Sequence, residues 1–155
     1  MGAEVRTVIA HAQAGEPIGT IHIRYGDLQP AEIASQEVPS VIDELPVLAA
    51  LATHGGELRV TGAHELRVKE SDRITTLAEG FRRMGADIDE QADGFHVRGG
   101  HRLRGGEVDA HNDHRLAMAF AIAALGASGP TTIHDAGAAA VSYPEFFSVL
   151  ESLRA

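Results

Sequence analysis

Three clusters of charged residues stand at or just before the starts of predicted helices, and they contain the side chains best suited to chemistry. They are Asp43 with Glu44, RVKESDR at residues 67–73, and HNDHR at residues 111–115. The first turn of a helix exposes unpaired N–H groups and about half a positive charge, so phosphate or carboxylate groups bind there readily beside Lys or Arg. Together the three helix ends predict one site for an anionic ligand.

The stretch RVKESDR combines cations with a possible proton carrier. Lys69 and Arg73 are four residues apart, and they face the same side if the helix begins near Ser71, with Glu70 between them. Neighbouring cations favour an ionised carboxylate, so proton transfer by this group would require burial or a bound ligand. Arg115 adds a planar guanidinium that suits carboxylate or phosphate oxygens.

The same residues have simpler structural interpretations. Asp43, Ser71 and Asp113 are each suited to cap a helix, because a short side-chain oxygen there accepts a hydrogen bond from a first-turn N–H. The charged residues of RVKESDR are also typical of a solvated helical face, which contributes little to stability. From spacing alone, both interpretations stay open beside the functional one.

The nine histidines raise the question of a metal site. Only His111 and His114, in HNDH, have a spacing that resembles part of a zinc motif. The sequence has no HExxH motif, no cysteine and no second histidine pair, so surface histidines are the better interpretation. We therefore expect no bound metal.

The composition indicates one globular domain. A chain of 155 residues, 44% of them hydrophobic, is large enough to bury roughly 70% of the surface that its unfolded form exposes. Seventeen glycines, five phenylalanines, two tyrosines and no tryptophan favour a mixed α/β fold with an aliphatic core and many turns. The absence of cysteine excludes disulfides and thiolate chemistry.

The charge and hydropathy patterns narrow the possible partners and location. A net charge of −9 opposes binding to nucleic acid or to an acidic membrane. No apolar run reaches the roughly 20 residues of a membrane span, and the segment MGAEVRTVIA does not look like a secretion signal. We expect a cytoplasmic protein.

Apolar periodicity predicts the elements that would position the charged clusters. Ile74, Leu77, Ala78, Phe81 and Met84 share one face of a predicted amphipathic helix. A second helix is apolar almost all round, from residue 116 to 125, which predicts a central, enclosed position. The predicted helices are LPVLAALATHG, SDRITTLAEGFRRMGA, HRLAMAFAIAALG and YPEFFSVLESLR, and the predicted strands are ELRV, ADID, GFHVRG and TTIH.

An internal repeat organises these elements. MGAEV at residues 1–5 resembles MGADI at 84–88, and GELRVTGAHELRV at 56–68 aligns with GPTTIHDAGAAAV at 129–141. The repeat predicts a single partial domain made of the tail of one unit, a second unit and a third unit. Their predicted ranges are 1–37, 38–107 and 108–155. A chain that opens within a unit is expected to belong to a longer protein.

Four stretches, in order and spacing, resemble the 5-enolpyruvylshikimate-3-phosphate synthase family. They are IDELPVLAALA at 42–52, ELRVKESDRI at 65–74, NDHRLAMAFAIAAL at 112–125 and SYPEFF at 142–147. The resemblance covers nearly the whole chain. It implies an α/β fold of the inverse α/β barrel type, with two domains built from βαβαββ units, helices inside, sheets outside and ligands between the domains.

The resemblance also implies a reaction and a set of site residues. The family transfers the enolpyruvyl group of phosphoenolpyruvate to the 5-hydroxyl of shikimate 3-phosphate by addition and then elimination of phosphate, with no metal or organic cofactor. By motif position, Asp43 resembles the carboxylate that binds the shikimate hydroxyls and accepts the attacking proton. Lys69 resembles a shikimate 3-phosphate contact, and Glu70 the residue that exchanges a proton with the phosphoenolpyruvate methylene. Arg73 and Arg115 resemble the pair that holds phosphoenolpyruvate.

Two positions depart from the family pattern, and part of the site is expected elsewhere. Some members have Asn where Glu65 stands and Lys where Val141 stands. The resemblance places further Lys and Arg contacts in an N-terminal domain, so this chain is expected to be an inactive fragment of an active enzyme. The alternatives are a relative of the transferase that acts on UDP-N-acetylglucosamine, and a non-catalytic anion-binding module of the same fold.

Overall fold

The computed structural model describes residues 1–153, which form eight strands, five α-helices and three 3-10 helices. The strands are β1 (Glu4–Gln13), β2 (Glu16–Arg24), β3 (Ala31–Ile33), β4 (Glu57–Val60), β5 (Asp87–Gln91), β6 (Gly94–Arg98), β7 (Gly106–Asp109) and β8 (Thr131–His134). The α-helices are α1 (Val38–Val41), α2 (Leu45–Ala52), α3 (Arg73–Met84), α4 (His114–Ala124) and α5 (Phe146–Ser152). The 3-10 helices are Ile42–Glu44, His64–Val68 and Ala136–Val141.

The strands form three sheets. β1 and β2 pair as an antiparallel hairpin, and β7 pairs with β8 in parallel. The third sheet has the order β3-β4-β6-β5, in which β3 and β4 are parallel and the other pairs antiparallel. Its inward side chains, Leu58, Val60, Phe95 and Val97, join the core that α2, α3 and α4 complete. The four predicted strands lie in these sheets.

The predicted helices are confirmed, with shorter bounds than the apolar runs suggested. The five residues of the amphipathic face of α3 are all buried. α3 is capped at its C-terminal end by Gly85, whose φ of 93° is the left-handed conformation that glycine adopts at helix ends without steric cost. The predicted terminal helix is α5, and Arg154, its last predicted residue, lies outside the described residues.

α4 lies in the interior, as its apolar sequence predicted. Leu116, Ala117, Ala119, Phe120 and Ala123 are fully buried, and the helix packs against both α2 and α3. The prediction is wrong at the end of the segment, because Leu125 is exposed. That residue follows the last turn, where the chain leaves the core towards the loop before β8.

α2, α3 and α4 run in the same direction with their N-terminal ends together. Asp113, which caps α4, contacts Arg73 at the start of α3. Seven residues further along each helix, Phe120 of α4 lies against Gly80 of α3. At the other end of α2, the His54 ring lies 3.3 Å from the carbonyl oxygen of residue 122 in α4. The parallel packing of three helices therefore brings three N-terminal ends to one place.

Gly80 sets the distance between α3 and α4. A Cβ at this position would lie 2.3 Å from the Phe120 ring, which is buried and packs edge-on against Phe81 at a centroid distance of 5.5 Å. We expect Gly80→Ala to lower the free energy of unfolding, because overpacking costs about 1–3 kcal/mol and exceeds the roughly 1 kcal/mol gained in helix propensity. Denaturant unfolding measures the change. In the Gly80→Ala background, Phe120→Leu should recover stability, and equal stability of Gly80→Ala and the wild type would contradict this packing.

The sequence repeat corresponds to a repeated local structure. In both matched stretches a strand is followed by a 3-10 helix: β4 precedes His64–Val68, and β8 precedes Ala136–Val141. The resemblance of residues 1–5 to residues 84–88 coincides with the entry into an antiparallel hairpin in both places. The unit boundaries stay predictions. The predicted boundary between residues 107 and 108 falls within β7.

The β1-β2 hairpin stands apart from the core. All of its residues are exposed, among them six large apolar side chains, Val5, Val8, Ile9, Ile18, Ile21 and Ile23. None of them belongs to the core cluster. No helix within residues 1–153 is both long and apolar enough to cross a membrane.

Candidate functional site

Arg73 is the centre of a group of side chains at the shared end of the three helices. Its side chain is 1% exposed, and its guanidinium donates to carboxylates from three parts of the chain. Nε lies 2.7 Å from Oδ2 of Asp113, Nη1 lies 3.2 Å from Oδ1 of Asp43, and Nη2 lies 2.5 Å from Oε2 of Glu70. The interpretation of this residue as part of a solvated charged face is wrong.

Arg115 extends the group on the side of α2. Nη1 donates to the carbonyl oxygen of Asp43 at 2.6 Å, and Nη2 lies 3.4 Å from its carboxylate. Glu44 lies 3.3 Å from Nη1. The side chain of Arg115 is 27% exposed, so it is far more accessible to a ligand than that of Arg73.

The structure therefore brings together four of the five residues that the resemblance implied as site residues. Asp43 comes from the 3-10 helix before α2, Glu70 from the loop before α3, and Arg73 and Arg115 from the first turns of α3 and α4. We call these four, with Glu44 and Asp113, the site cluster. Their chemical roles are not decided by their position alone.

Lys69 lies beside this cluster in sequence, but its charge is directed elsewhere. Its Nζ donates to Oε1 of Glu65 at 2.7 Å. The spacing in the sequence had suggested that Glu70 lies between two cations. In the structure Arg73 hydrogen-bonds Glu70, whereas the charge of Lys69 is directed to Glu65. The Glu70 side chain is 48% exposed, and its second oxygen lies 4.0 Å from Nδ1 of His114. This carboxylate is thus open to a ligand.

The capping interpretation holds for one of its three residues. Asp113 caps α4, since Oδ1 accepts from the N–H groups of Arg115 and Leu116. Asp43 makes no cap bond, because its carboxylate is directed to the two arginines. Ser71 donates to Asp113 at 3.1 Å, and the cap of α3 is Asp72.

Asp113 combines its capping bonds with a buried ion pair. Its side chain is completely buried beside Arg73. Burial alone would raise the pKa of this carboxyl, but hydrogen bonds and the charge of Arg73, with hydrogen bonds from Ser71 and the Arg115 N–H, outweigh it and hold the pKa below its usual value. Asp113 therefore stays ionised and keeps Arg73 in place.

A strained turn delivers Asp113 to this position. His111 and Asn112 have φ values of 49° and 56°, a left-handed conformation that few residues other than glycine adopt. The side chain of Asp109 accepts from the His111 N–H at 2.7 Å, and that of Asp135 from the Asn112 N–H at 3.2 Å. These bonds stabilise a tight reversal immediately before α4.

The site cluster carries more negative than positive charge. Its cations are Arg73 and Arg115, and its anions are Asp43, Glu44, Glu70 and Asp113. A cavity of about 250 Å³ opens beside it. Its lining includes Asp43, Glu44 and Arg115, apolar side chains of α2 and α4, and the rings of Tyr143 and Phe146. Residues 1–153 contain no group of three His, Asp or Glu side chains placed to hold a metal ion.

A sequence model of a known family covers almost the whole chain. The description of that family is EPSP synthase (3-phosphoshikimate 1-carboxyvinyltransferase), and it matches residues 1–150. The chain belongs to the EPSP synthase family. The resemblance that four short motifs indicated is thereby confirmed.

Relatives and solved structures agree with this EPSP synthase assignment. Curated 3-phosphoshikimate 1-carboxyvinyltransferases from Carboxydothermus hydrogenoformans and a Sulfurihydrogenibium species are 46% and 48% identical to this chain over 154 residues. Each match covers 99% of this chain and 36% of the relative. An EPSP synthase structure from Acinetobacter baumannii superposes with a TM-score of 0.89 at 38% identity, over 97% of this chain and 36% of that one. The expected α/β enolpyruvyl transferase fold is confirmed, and the chain spans about a third of the length of these proteins.

Sequence reasoning missed two features of the site. It treated Asp113 only as a possible cap, although this residue is also the buried partner of Arg73. It also gave no role to Arg67, which binds the base of the loop that carries Glu70. The contacts of Asp113 with Arg73 and of Arg67 with Asp72 depend on how the folded chain packs. The sequence signal for Asp113 as a helix cap does not show that its carboxylate also binds an arginine.

Proposed function

We propose that this chain supplies part of the active site of an enzyme that transfers the enolpyruvyl group of phosphoenolpyruvate to the 5-hydroxyl of shikimate 3-phosphate and releases phosphate. The convergence of Asp43, Glu70, Arg73 and Arg115 at one end of three parallel helices carries this proposal. The group contains a base, a proton carrier and cations, which are the residue types that the reaction needs.

The proposed addition step uses the two accessible carboxyl groups. Asp43 accepts the proton of the 5-hydroxyl as the hydroxyl oxygen bonds to C2 of phosphoenolpyruvate, and Glu70, which takes up a proton from solvent before this step, delivers that proton to the C3 methylene. In the elimination step a proton returns from C3 to Glu70, the C2–C3 double bond forms again, and phosphate leaves with the bonding pair. Both carboxylates are about half exposed in the free chain, so substrate can reach them.

The two arginines have different parts in this proposal. Arg115, with its more exposed guanidinium, makes the direct contact with the phosphoenolpyruvate oxygens. Arg73 is buried and uses four of its five N–H groups on carboxylates, so it contributes one remaining Nη1 donor and a fixed positive charge. Lys69 reaches the 3-phosphate when its bond to Glu65 opens.

The charge of the site cluster indicates that further cations are required. Four carboxylates against two guanidinium groups repel a ligand that carries phosphate and carboxylate together. We propose that the N-terminal domain implied by the family resemblance supplies those cations when it closes over the site, with the cytoplasm as the location of the complete enzyme. The absence of cysteine permits such a reducing compartment.

Turnover measurements on two proteins test this proposal. The first is the chain alone, and the second is the Carboxydothermus hydrogenoformans relative with its aligned 154 residues replaced by this chain. We expect no phosphate release above background from the first. The second should release phosphate when both substrates are present, because only there are the missing contacts restored.

The substrate and one variant provide the controls. UDP-N-acetylglucosamine in place of shikimate 3-phosphate tests the related transferase, and no release is expected with it. Arg115→Ala should weaken phosphoenolpyruvate binding and lower kcat/KM by about 100-fold. A folded hybrid protein that binds both substrates without any turnover would favour the anion-binding module and would reject the proposed reaction.

A further inference from the structure

Arg67 uses every N–H of its guanidinium group within the protein. Nε donates to the carbonyl oxygen of Ala92 at 2.7 Å, and Nη2 donates to the carbonyl of Gln91 at 2.5 Å and to Glu90 at 3.1 Å. Nη1 donates to Asp72 at 2.9 Å and to the Thr75 hydroxyl at 3.0 Å. A guanidinium has five N–H donors, so none is left for a ligand.

These five bonds join three elements around one loop. Arg67 lies in the 3-10 helix whose last residue, Val68, begins the loop, Asp72 caps the helix that follows it, and residues 90–92 are the end of β5 and the first residue of the turn after it. The bond between Arg67 and Asp72 therefore closes the base of residues 68–71. The contacts to residues 90–92 fix that base to the sheet.

The loop has little else to hold its backbone. Val68 is 74% exposed, so the loop contributes no apolar side chain to the core. Lys69 and Glu70 bond to other charged side chains, and Ser71 bonds to Asp113. These are the side chains that a substrate would displace or contact, which leaves the closed base as the part of the loop that does not depend on ligand.

We propose that Arg67 is a positioning residue: by closing the base of the 68–71 loop it holds Lys69 and Glu70 in register with Arg73. The inference rests on the proposed function, since it assigns to this loop the substrate contacts of that reaction. Arg67 touches no substrate itself. It acts through the two residues of the loop and through the capping carboxylate of Asp72.

The state of Asp72 agrees with a closed base. Partial burial would raise the pKa of this carboxyl, but a hydrogen bond from the Thr75 N–H, followed by the hydrogen bond and charge of Arg67, lowers it below its usual value. The carboxylate therefore stays ionised while it caps α3 and binds the guanidinium. The Thr75 hydroxyl completes the link by donating to Glu90 at 2.7 Å.

Hydrogen exchange and steady-state kinetics on the hybrid enzyme test the inference, with Arg67→Met compared with Arg98→Met. Arg98 is a matched control, because it also binds two carboxylates, Asp87 and Asp89, on the β5-β6 hairpin but touches no part of the loop. In Arg67→Met, the amides of Leu66 and Thr75 should exchange at least about tenfold faster. The amide of Arg104, which bonds to the far end of α3, should be unchanged.

The kinetic effect should appear in kcat more than in the KM for phosphoenolpyruvate. A displacement of about 1 Å in Glu70 is expected to lower kcat by about 100-fold, while Arg115 still binds the substrate. Arg67→Lys should recover part of this loss, because an ammonium group can reach Asp72 but cannot also bind the three acceptors in residues 90–92. Arg98→Met should stay within about twofold of the wild type.

Each outcome decides the inference. Unchanged exchange in Arg67→Met, or faster exchange with a kcat equal to that of Arg98→Met, would overturn it. If Arg67→Met does not fold, Asp72→Asn keeps a capping oxygen, removes the ion pair and must show the same pattern. If the hybrid enzyme with Arg67 intact shows no enolpyruvyl transfer, the proposed function is rejected instead. The exchange rates need no turnover, so they test the role of Arg67 separately from the proposed reaction.

Discussion

Replacing Glu70 with glutamine is expected to lower kcat of the hybrid transferase by about 100-fold to 10,000-fold. Glutamine has the same size and can still accept the hydrogen bond from Arg73 through its amide oxygen, so the site cluster should keep its geometry. It cannot carry the proton that the proposed mechanism moves to and from C3 of phosphoenolpyruvate. The measurement is the initial rate of phosphate release at saturating concentrations of both substrates.

A matched substitution separates this effect from a general loss of charge. Glu79→Gln makes the same chemical change on the exposed side of α3, away from the site cluster, and should leave kcat within about twofold of the wild type. Exchange of the phosphoenolpyruvate methylene protons with deuterated solvent provides a second readout, which Glu70→Gln should abolish. A Glu70→Gln enzyme with normal turnover and normal exchange would remove Glu70 from the mechanism.

Replacing Asp113 with alanine is expected to destabilise the chain by about 3–5 kcal/mol, because it leaves the guanidinium of Arg73 buried without its fully buried partner. The loss of the capping bonds to the first turn of α4 adds about 1 kcal/mol. Arg73 is 1% exposed and cannot turn to water without moving α3. Denaturant unfolding of the chain, followed by circular dichroism, measures the change.

Two further variants show whether the buried charge is the cause. Asp113→Asn keeps the cap and one acceptor for Arg73, so it should cost less than Asp113→Ala. A double variant with Arg73→Met and Asp113→Ala no longer buries a guanidinium that has lost the Asp113 carboxylate, and its loss of stability should be smaller than the sum of the single losses. Additive losses in the double variant would contradict the proposed coupling.

The same pair predicts how stability depends on pH. The folded-state pKa of Asp113 is lower than its ordinary value of 3.8, so the unfolded chain binds this proton first as the pH falls. The stabilisation is therefore fully present above the unfolded pKa and is lost as the pH falls from about 3.8 through the folded pKa. The difference in unfolding free energy between the wild type and Asp113→Ala should narrow over that range, and a constant difference would contradict the assignment.

Short-range patterns were sufficient for the elements that carry the site. The spacing of Ile74, Leu77 and Phe81 predicted the buried face of α3, because a helix repeats every 3.6 residues whatever surrounds it. The apolar sequence of α4 likewise predicted an interior helix. The exception at Leu125 has a simple cause, since periodicity does not show where a helix emerges from the core.

Sequence patterns were enough to predict which side chains could form the site, the order of the helices that present them, and the family. The folded structure was needed to show that Arg73 lies buried among Asp43, Glu70 and Asp113, that Lys69 bonds to Glu65, and that Arg67 bonds to Asp72 across the loop. Arg73 is separated from two of these carboxylates by 30 and 40 positions. Such a contact depends on how parallel helices pack, and no local pattern of residues specifies which charge will lose its water and which will keep it.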